Sequence, residues 1–163
     1  MHSVFNKIVP FRVASWWLIK LLIRLRFPAI RQLSTTDLAD WLSDETRTNP
    51  VLLDARTFEE YQISHLDHAK LVPENLENLT TEGIDRTTPI VVYCSVGYRS
   101  SAIASRLASL GYQNLFNLSG SIFQWVNENR PVYRQGKPVT AVHPYQKLWQ
   151  HLLIKPRKAW RSS

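Results

Sequence analysis

The sequence contains a single cysteine, Cys94, among its 163 residues. One cysteine excludes a disulfide within the chain, so packing must hold the fold, and such a chain suits a reducing compartment. We therefore expect a cytoplasmic protein. A cysteine-rich zinc site is excluded as well, and the five histidines do not show the His-Glu-x-x-His spacing of zinc enzymes. The sequence predicts neither a metal nor a cofactor.

Acidic residues are missing from both ends of the chain. Residues 1–31 contain six Lys and Arg residues and residues 131–163 contain seven, whereas residues 32–130 contain seven basic and all 13 acidic residues. Segregation of charge concerns binding partners more than it concerns the fold. It predicts a basic N-terminal arm at 1–31, a central domain at 32–130 and a basic C-terminal tail at 131–163. Peripheral contact with an anionic membrane is one interpretation of the arms, and a nucleic-acid partner is not expected.

The sequence also lacks an apolar run of the roughly 20 residues that a membrane span needs. Residues 11–27 nevertheless predict a helix, because they contain neither glycine nor proline and Pro28 follows them. A signal peptide is not expected, since Arg24 and Arg26 come early and no small-residue cleavage site follows. At about 100° per residue the apolar side chains share an arc of roughly 140°, which would pack on the domain or lie on a membrane surface. The arc consists of Ala14, Trp17, Leu18, Leu21, Leu22 and Leu25.

Short strands alternate with helices in the central part of the chain. This alternation is typical of a parallel sheet covered by helices on both faces. We expect a three-layer α/β/α domain with about five parallel strands, followed by a tail that is irregular apart from a short helix at 145–153. The predicted strands are 51–54, 69–72, 90–93 and 115–118, and the predicted helices are 34–42, 57–63, 100–110 and 121–127.

Cys94 follows the most apolar predicted strand and precedes the clearest predicted helix. Ligand sites of open α/β sheets lie at such strand ends, where backbone amides and the helix dipole stabilise negative charge. A thiol at this position should have a lowered pKa and react as a thiolate. Gly97 allows the connecting loop to turn its amides inward. Arg99 is unfavourable for a helix start, which indicates a role in the site.

These residues resemble the single-domain rhodaneses over about residues 32–130. The segment VVYCSVGYRSS matches the loop motif Cys-x-x-Gly-x-Arg-Ser, LLDARTFEEYQISHLDHAKLVP precedes it, and NLFNLSGSIFQW follows it. The resemblance implies that Cys94 takes sulfur from a small-molecule donor such as thiosulfate and holds it as a persulfide. With no second cysteine, the acceptor would be an external thiol or a protein. The implied substrate-binding residues are Ser95, Val96, Gly97, Tyr98, Arg99 and Ser100, and the implied supporting residues are Asp54, Arg56, Glu60 and His65.

The sequence departs from the family pattern at three positions. Ser64-His65 replaces a Gly-His pair, Gly120-Ser121 replaces a Gly-Gly pair, and Ser95 stands where efficient thiosulfate users often carry a cation. The last change argues against thiosulfate as the preferred donor. Two alternative functions remain open at this point. One is a non-catalytic rhodanese-like module docked by its arms. The other is a cysteine-dependent phosphatase or arsenate reductase, although those enzymes need Cys-x5-Arg and this chain has Cys-x4-Arg.

Overall fold

A five-stranded parallel sheet forms the centre of the fold in the computed structural model, which describes residues 5–81 and 83–154. The spatial order of the strands is β1-β5-β4-β2-β3. All four residues of the middle strand, β4, are buried, which explains its uninterrupted apolar sequence. The strands are β1 (Arg31–Leu33), β2 (Val51–Asp54), β3 (Lys70–Leu71), β4 (Ile90–Tyr93) and β5 (Leu115–Leu118).

Helices cover both faces of this sheet. One buried cluster includes Leu38 and Ile122 with Val91, and the other includes Leu107 with Val92, so successive residues of β4 point into different cores. The predicted three-layer α/β/α architecture with five parallel strands is confirmed. Strand β1 and helix α4 were not predicted. The helices are α1 (Phe5–Arg26), α2 (Thr35–Ser43), α3 (Phe58–Ile63), α4 (Asn78–Thr81), α5 (Tyr98–Ser109) and α6 (Ser121–Asn127).

The chain after α6 is more ordered than the sequence predicted. An antiparallel hairpin, β6 (Val132–Arg134) and β7 (Lys137–Val139), precedes a 3-10 helix (Lys147–Leu152). The segment was expected to be irregular, and this was wrong for the hairpin. The hairpin was not recognised because the residues of its turn are unusual for that turn type. Both turn residues, Gln135 and Gly136, have positive φ angles of 52° and 72°, as a type I′ turn requires, and glutamine seldom supplies one of them.

Helix α1 contacts the domain through the face opposite to the predicted apolar arc. Trp16 and Ile19 pack against the core, Ile23 is buried, and Lys20 Nζ donates a hydrogen bond of 2.6 Å to Gln124 Oε1. The predicted apolar arc points away from the domain, with Trp17 66% exposed. The expectation that this arc packs on the domain was therefore wrong. Among the described helices, none is both long and apolar enough to cross a membrane.

Candidate active site

The thiol of Cys94 lies at the carboxyl end of β4, immediately before the loop that leads into α5. Gly97, at the end of this loop, has a φ of 115° and directs its amide toward the sulfur, with 3.1 Å between N and Sγ. Cys94 is only 1% exposed, yet it lines a cavity of about 320 Å³ that opens to the surface. The sulfur is thus enclosed by backbone donors but reachable by a small molecule.

The surroundings of Cys94 favour the thiolate. Burial is the largest influence on its pKa and would raise it. The positive charge of Arg99, the hydroxyl and amide of Ser100 and the amide of Gly97 outweigh burial, and the pKa of Cys94 lies below its ordinary value. Because the thiolate is the nucleophilic form, this environment suits attack by Cys94 on an electrophilic sulfur.

A bidentate ion pair holds Arg99 beside the loop. Its Nη1 and Nη2 donate to the Glu60 carboxylate at 2.8 and 2.9 Å, and Nη2 also donates to Ser95 Oγ at 2.9 Å. Glu60 is 2% exposed and accepts the Thr57 amide as part of a capping box at the start of α3. Burial would raise the pKa of Glu60, but its hydrogen bonds with Arg99 and the charge of Arg99 lower it. The carboxylate therefore orients the cation and offsets part of its charge.

A chain of side-chain hydrogen bonds reaches the loop from β5. The Ser100 hydroxyl lies 2.6 Å from Asn117 Oδ1 and 3.5 Å from Cys94 Sγ, so its single proton is donated mainly to Asn117 and only weakly to the sulfur. Asn117 donates to Gln32, and Gln32 donates to the Ile30 carbonyl, which fixes the orientation of both amides. The Cys94 thiolate is therefore stabilised mainly by Arg99 and by backbone amides. Asn117 was not among the predicted site residues, although a polar residue inside the apolar strand 115–118 was a visible signal.

Ser121 positions the backbone of Cys94. Its Oγ accepts the Cys94 amide at 3.1 Å and donates to the Leu118 carbonyl at 2.9 Å, while the Ile122 amide donates to the Cys94 carbonyl. Ser121 is buried and has a φ of 49°, a region that favours glycine. The serine that replaces the second glycine of the family pattern thus adds a hydrogen-bonding role that the sequence comparison did not predict.

The remaining supporting residues form a second network behind the loop. Asp54 binds Arg56 at 2.6 Å and accepts from the Tyr93 hydroxyl at 2.7 Å, and Arg56 donates to the Ser64 carbonyl. Asp54 and Arg56 thereby connect the ends of β2 and β4 to the segment after α3. His65 pairs through its backbone with Tyr133 of the hairpin, and its ring stacks on Tyr61, so its contacts are structural.

Both terminal arms contribute walls to the cavity. Arg99 is the one charged residue among the described residues that line it, and the Tyr145 ring lies 4.2 Å from the Arg99 guanidinium carbon. The sequence did not predict that the arms would approach the predicted site. The wall residues outside the loop are Ile19, Leu22, Ile23, Tyr145, Gln146 and Trp149.

Within residues 5–81 and 83–154, no group of three or more metal-ligating side chains occurs.

Replacing Gly97 with alanine should disrupt the loop more than a comparable change elsewhere. A Cβ at Gly97 would lie 3.2 Å from Asn117 Nδ2 and 3.3 Å from Ile23 Cδ1, whereas a Cβ at Gly136 would have no neighbour within 4 Å. Both positions have positive φ, so each alanine costs about 1–3 kcal/mol of backbone strain. We expect Gly97→Ala to lose more unfolding free energy than Gly136→Ala and to slow Cys94 alkylation. Urea denaturation and iodoacetamide kinetics measure both, and equal losses would contradict the crowding described here.

Comparison with known proteins is consistent with this geometry. The chain is 34% identical over 88 residues to the adenylyltransferase and sulfurtransferase uba4 of Ogataea parapolymorpha, covering 52% of this chain and 23% of that protein. It is 33% identical over 100 residues to the probable adenylyltransferase/sulfurtransferase MoeZ of Mycobacterium tuberculosis, covering 58% and 24%. The chain thus spans about a quarter of the length of the curated relatives it matches.

Solved structures show the same fold. The thiosulfate sulfurtransferase of Pseudomonas aeruginosa aligns with a TM-score of 0.59 at 22% identity, over 77% of this chain and 24% of that one. The sequence profile of the rhodanese-like domain matches residues 35–128, which is more than half of the chain and includes β2 to β5 with the Cys94 loop. The protein therefore belongs to the rhodanese-like domain family.

Proposed function

We propose that this protein is a sulfurtransferase that carries sulfane sulfur as a persulfide on Cys94. The observation that supports this most is the environment of Sγ, with the Gly97 amide at 3.1 Å and the Arg99 charge beside it, in a cavity open to small molecules. A thiolate stabilised by amides and a cation is a nucleophile, and the same donors would stabilise the terminal sulfur anion of a persulfide.

The reaction divides into two displacements at sulfur. The Cys94 thiolate attacks the sulfane sulfur of the donor, an S–S bond forms, and the donor's own S–S bond breaks with its electron pair leaving on the departing group, which is sulfite when the donor is thiosulfate. A thiophilic acceptor then attacks the terminal sulfur, and the Cys94 thiolate leaves. No electrons are gained or lost overall by the enzyme. Since Cys94 is the sole cysteine, the acceptor is external.

The charge balance of the cavity favours donors that carry less charge than thiosulfate. Arg99 is the one charged residue among the described lining residues, and its guanidinium already donates twice to the buried Glu60 carboxylate. Most of the lining is apolar, and transfer of a dianion into such surroundings without a free cation is costly. We expect kcat/KM for an alkyl hydropersulfide to exceed that for thiosulfate at least tenfold, measured as thiocyanate formed with cyanide as acceptor after subtraction of the rate without protein.

Intact-protein mass spectrometry tests the proposal directly. The wild-type chain should gain the mass of one sulfur atom after incubation with the hydropersulfide and lose it when cyanide is added, with thiocyanate released. Cys94→Ser is the matched control because it changes one atom, and it should neither gain sulfur nor turn over. Equal thiocyanate production by this variant, or a wild-type chain that takes sulfur from neither donor, would contradict the proposal.

A further inference from the structure

Helix α1 presents an apolar face that the described part of the chain leaves uncovered. At about 100° per residue, Trp17, Leu18, Leu22 and Leu25 fall on one arc of about 140° that points away from the domain. These four side chains are 66%, 51%, 54% and 69% exposed. The opposite face holds the helix on the domain through Ile23, so the orientation of the arc is fixed by packing. Contiguous exposed apolar patches of this kind mark interaction surfaces.

Positive charge borders this face on both sides. Arg24 lies beside Trp17 on the helix surface, and Arg26 lies on the other side, beyond Leu22, with both arginines exposed. Residues 1–31 contain no acidic residue, and neither does the tail at 131–163, which adds seven basic residues. A second copy of the chain is disfavoured as the occupant, because pairing two such faces would bring arginines together without carboxylates to neutralise them.

We infer that α1 binds an anionic membrane surface, with its axis in the plane of the interface and Trp17, Leu18, Leu22 and Leu25 inserted among the headgroups. An apolar arc with flanking cations is the arrangement by which helices bind such surfaces, and tryptophan is enriched at that depth. Arg24 and Arg26 contact the lipid phosphates. The helix does not cross the bilayer, which agrees with its charged residues.

This docking also determines where the Cys94 cavity opens. Leu22 belongs to the exposed arc and also lines the cavity, together with its neighbours Ile19 and Ile23. Because Leu22 is both exposed and part of the cavity wall, an opening next to it would lie at the level of the headgroups when the arc is inserted. If the proposed sulfur transfer holds, donors or acceptors would then reach Cys94 along the membrane surface. The docking itself is independent of that chemistry.

Vesicle sedimentation tests the inference with the full chain. We expect binding to vesicles of phosphatidylcholine with phosphatidylglycerol to exceed binding to pure phosphatidylcholine at least tenfold and to fall at high salt. The variant Leu18→Asp/Leu25→Asp should bind the anionic vesicles at least tenfold more weakly, and Arg24→Gln/Arg26→Gln several-fold more weakly. Phe58→Asp, at a side chain that is 56% exposed on α3, and Arg86→Gln/Arg106→Gln are the matched controls and should bind as wild type.

The position of the mouth has its own readout. A bulky hydrophilic maleimide should alkylate Cys94 several-fold more slowly when anionic vesicles are present, and Leu18→Asp/Leu25→Asp should lose that protection. This readout does not require sulfur transfer, so failure of the proposed function would leave it intact. Equal binding by wild type and the two α1 variants would overturn the inference. Self-association that Leu18→Asp/Leu25→Asp abolishes, without vesicle binding by wild type, would assign the face to a second copy instead.

Discussion

Replacing Arg99 with methionine is expected to raise the pKa of Cys94, whereas replacing Glu60 with glutamine should lower it. Arg99→Met removes a charge that stabilises the thiolate and leaves the buried Glu60 carboxylate nearby without its partner. Glu60→Gln keeps an acceptor for the Thr57 amide but leaves the charge of Arg99 uncompensated. At neutral pH we expect alkylation of Cys94 to slow at least tenfold in Arg99→Met, since about 1.4 kcal/mol corresponds to a factor of ten.

The single cysteine makes this measurement direct. The pH dependence of iodoacetamide alkylation reports Cys94 alone, and the midpoint should move up in Arg99→Met and down in Glu60→Gln. Arg106→Met, at an exposed arginine of the same helix, is the control and should leave the midpoint in place. Circular dichroism identifies a variant that has lost its fold. Midpoints that move in the same direction in both site variants would show that Glu60 does not act through the charge of Arg99.

Asp54→Ala should produce the largest loss of stability among the changes considered. The Asp54 and Arg56 side chains are both 0% exposed, so alanine leaves a guanidinium buried without its counter-ion and also removes the acceptor of the Tyr93 hydroxyl. Breaking a buried pair in this way costs about 3–5 kcal/mol. That is a substantial part of the about 5–15 kcal/mol that stabilises a typical domain.

Urea denaturation measures this loss, and the chain contains a matched control. Asp67 pairs with His68 at 3.7 Å, but both side chains are largely exposed, and Asp67→Ala should change the unfolding free energy by less than about 0.5 kcal/mol. Should Asp54→Ala fail to fold, Asp54→Asn retains the shape of the side chain and should still lower the midpoint clearly. A midpoint for Asp54→Asn equal to that for Asp67→Ala would show that the buried pair adds no stability.

The sequence predicted the central elements well because their signals are local. The β-branched run at Ile90–Tyr93 reads as a buried strand, and Ser34, the first residue of the predicted helix 34–42, caps α2 by accepting the Asp37 amide. Strand β1 was not predicted because three residues are too few to show an alternation of apolar and polar side chains. Its place in the sheet is decided by pairing with β5, more than 80 residues later. Such long-range pairing leaves no local signature.

The site was only partly predictable for the same reason. Cys94, Gly97 and Arg99 lie within one loop, so their chemistry can be read from spacing. Asn117 and Ser121 reach the loop from other elements, and only the fold brings them there. Helix α1 shows a different limit: hydrophobicity alone left open whether the larger apolar arc packs on the domain or lies on a membrane surface. The domain packs against Trp16, Ile19 and Ile23 instead.

Glu60 belongs to two structures at once, since it caps the first turn of α3 and holds Arg99 beside Cys94. Fraying of that turn withdraws the carboxylate from the guanidinium, so local unfolding of α3 and the reactivity of the thiol are linked by one side chain. Linkage of this kind is reciprocal. An anionic sulfur on Cys94 competes with Glu60 for the charge of Arg99, so if the proposed persulfide forms, we expect faster hydrogen exchange at the amides of α3, far along the chain from Cys94.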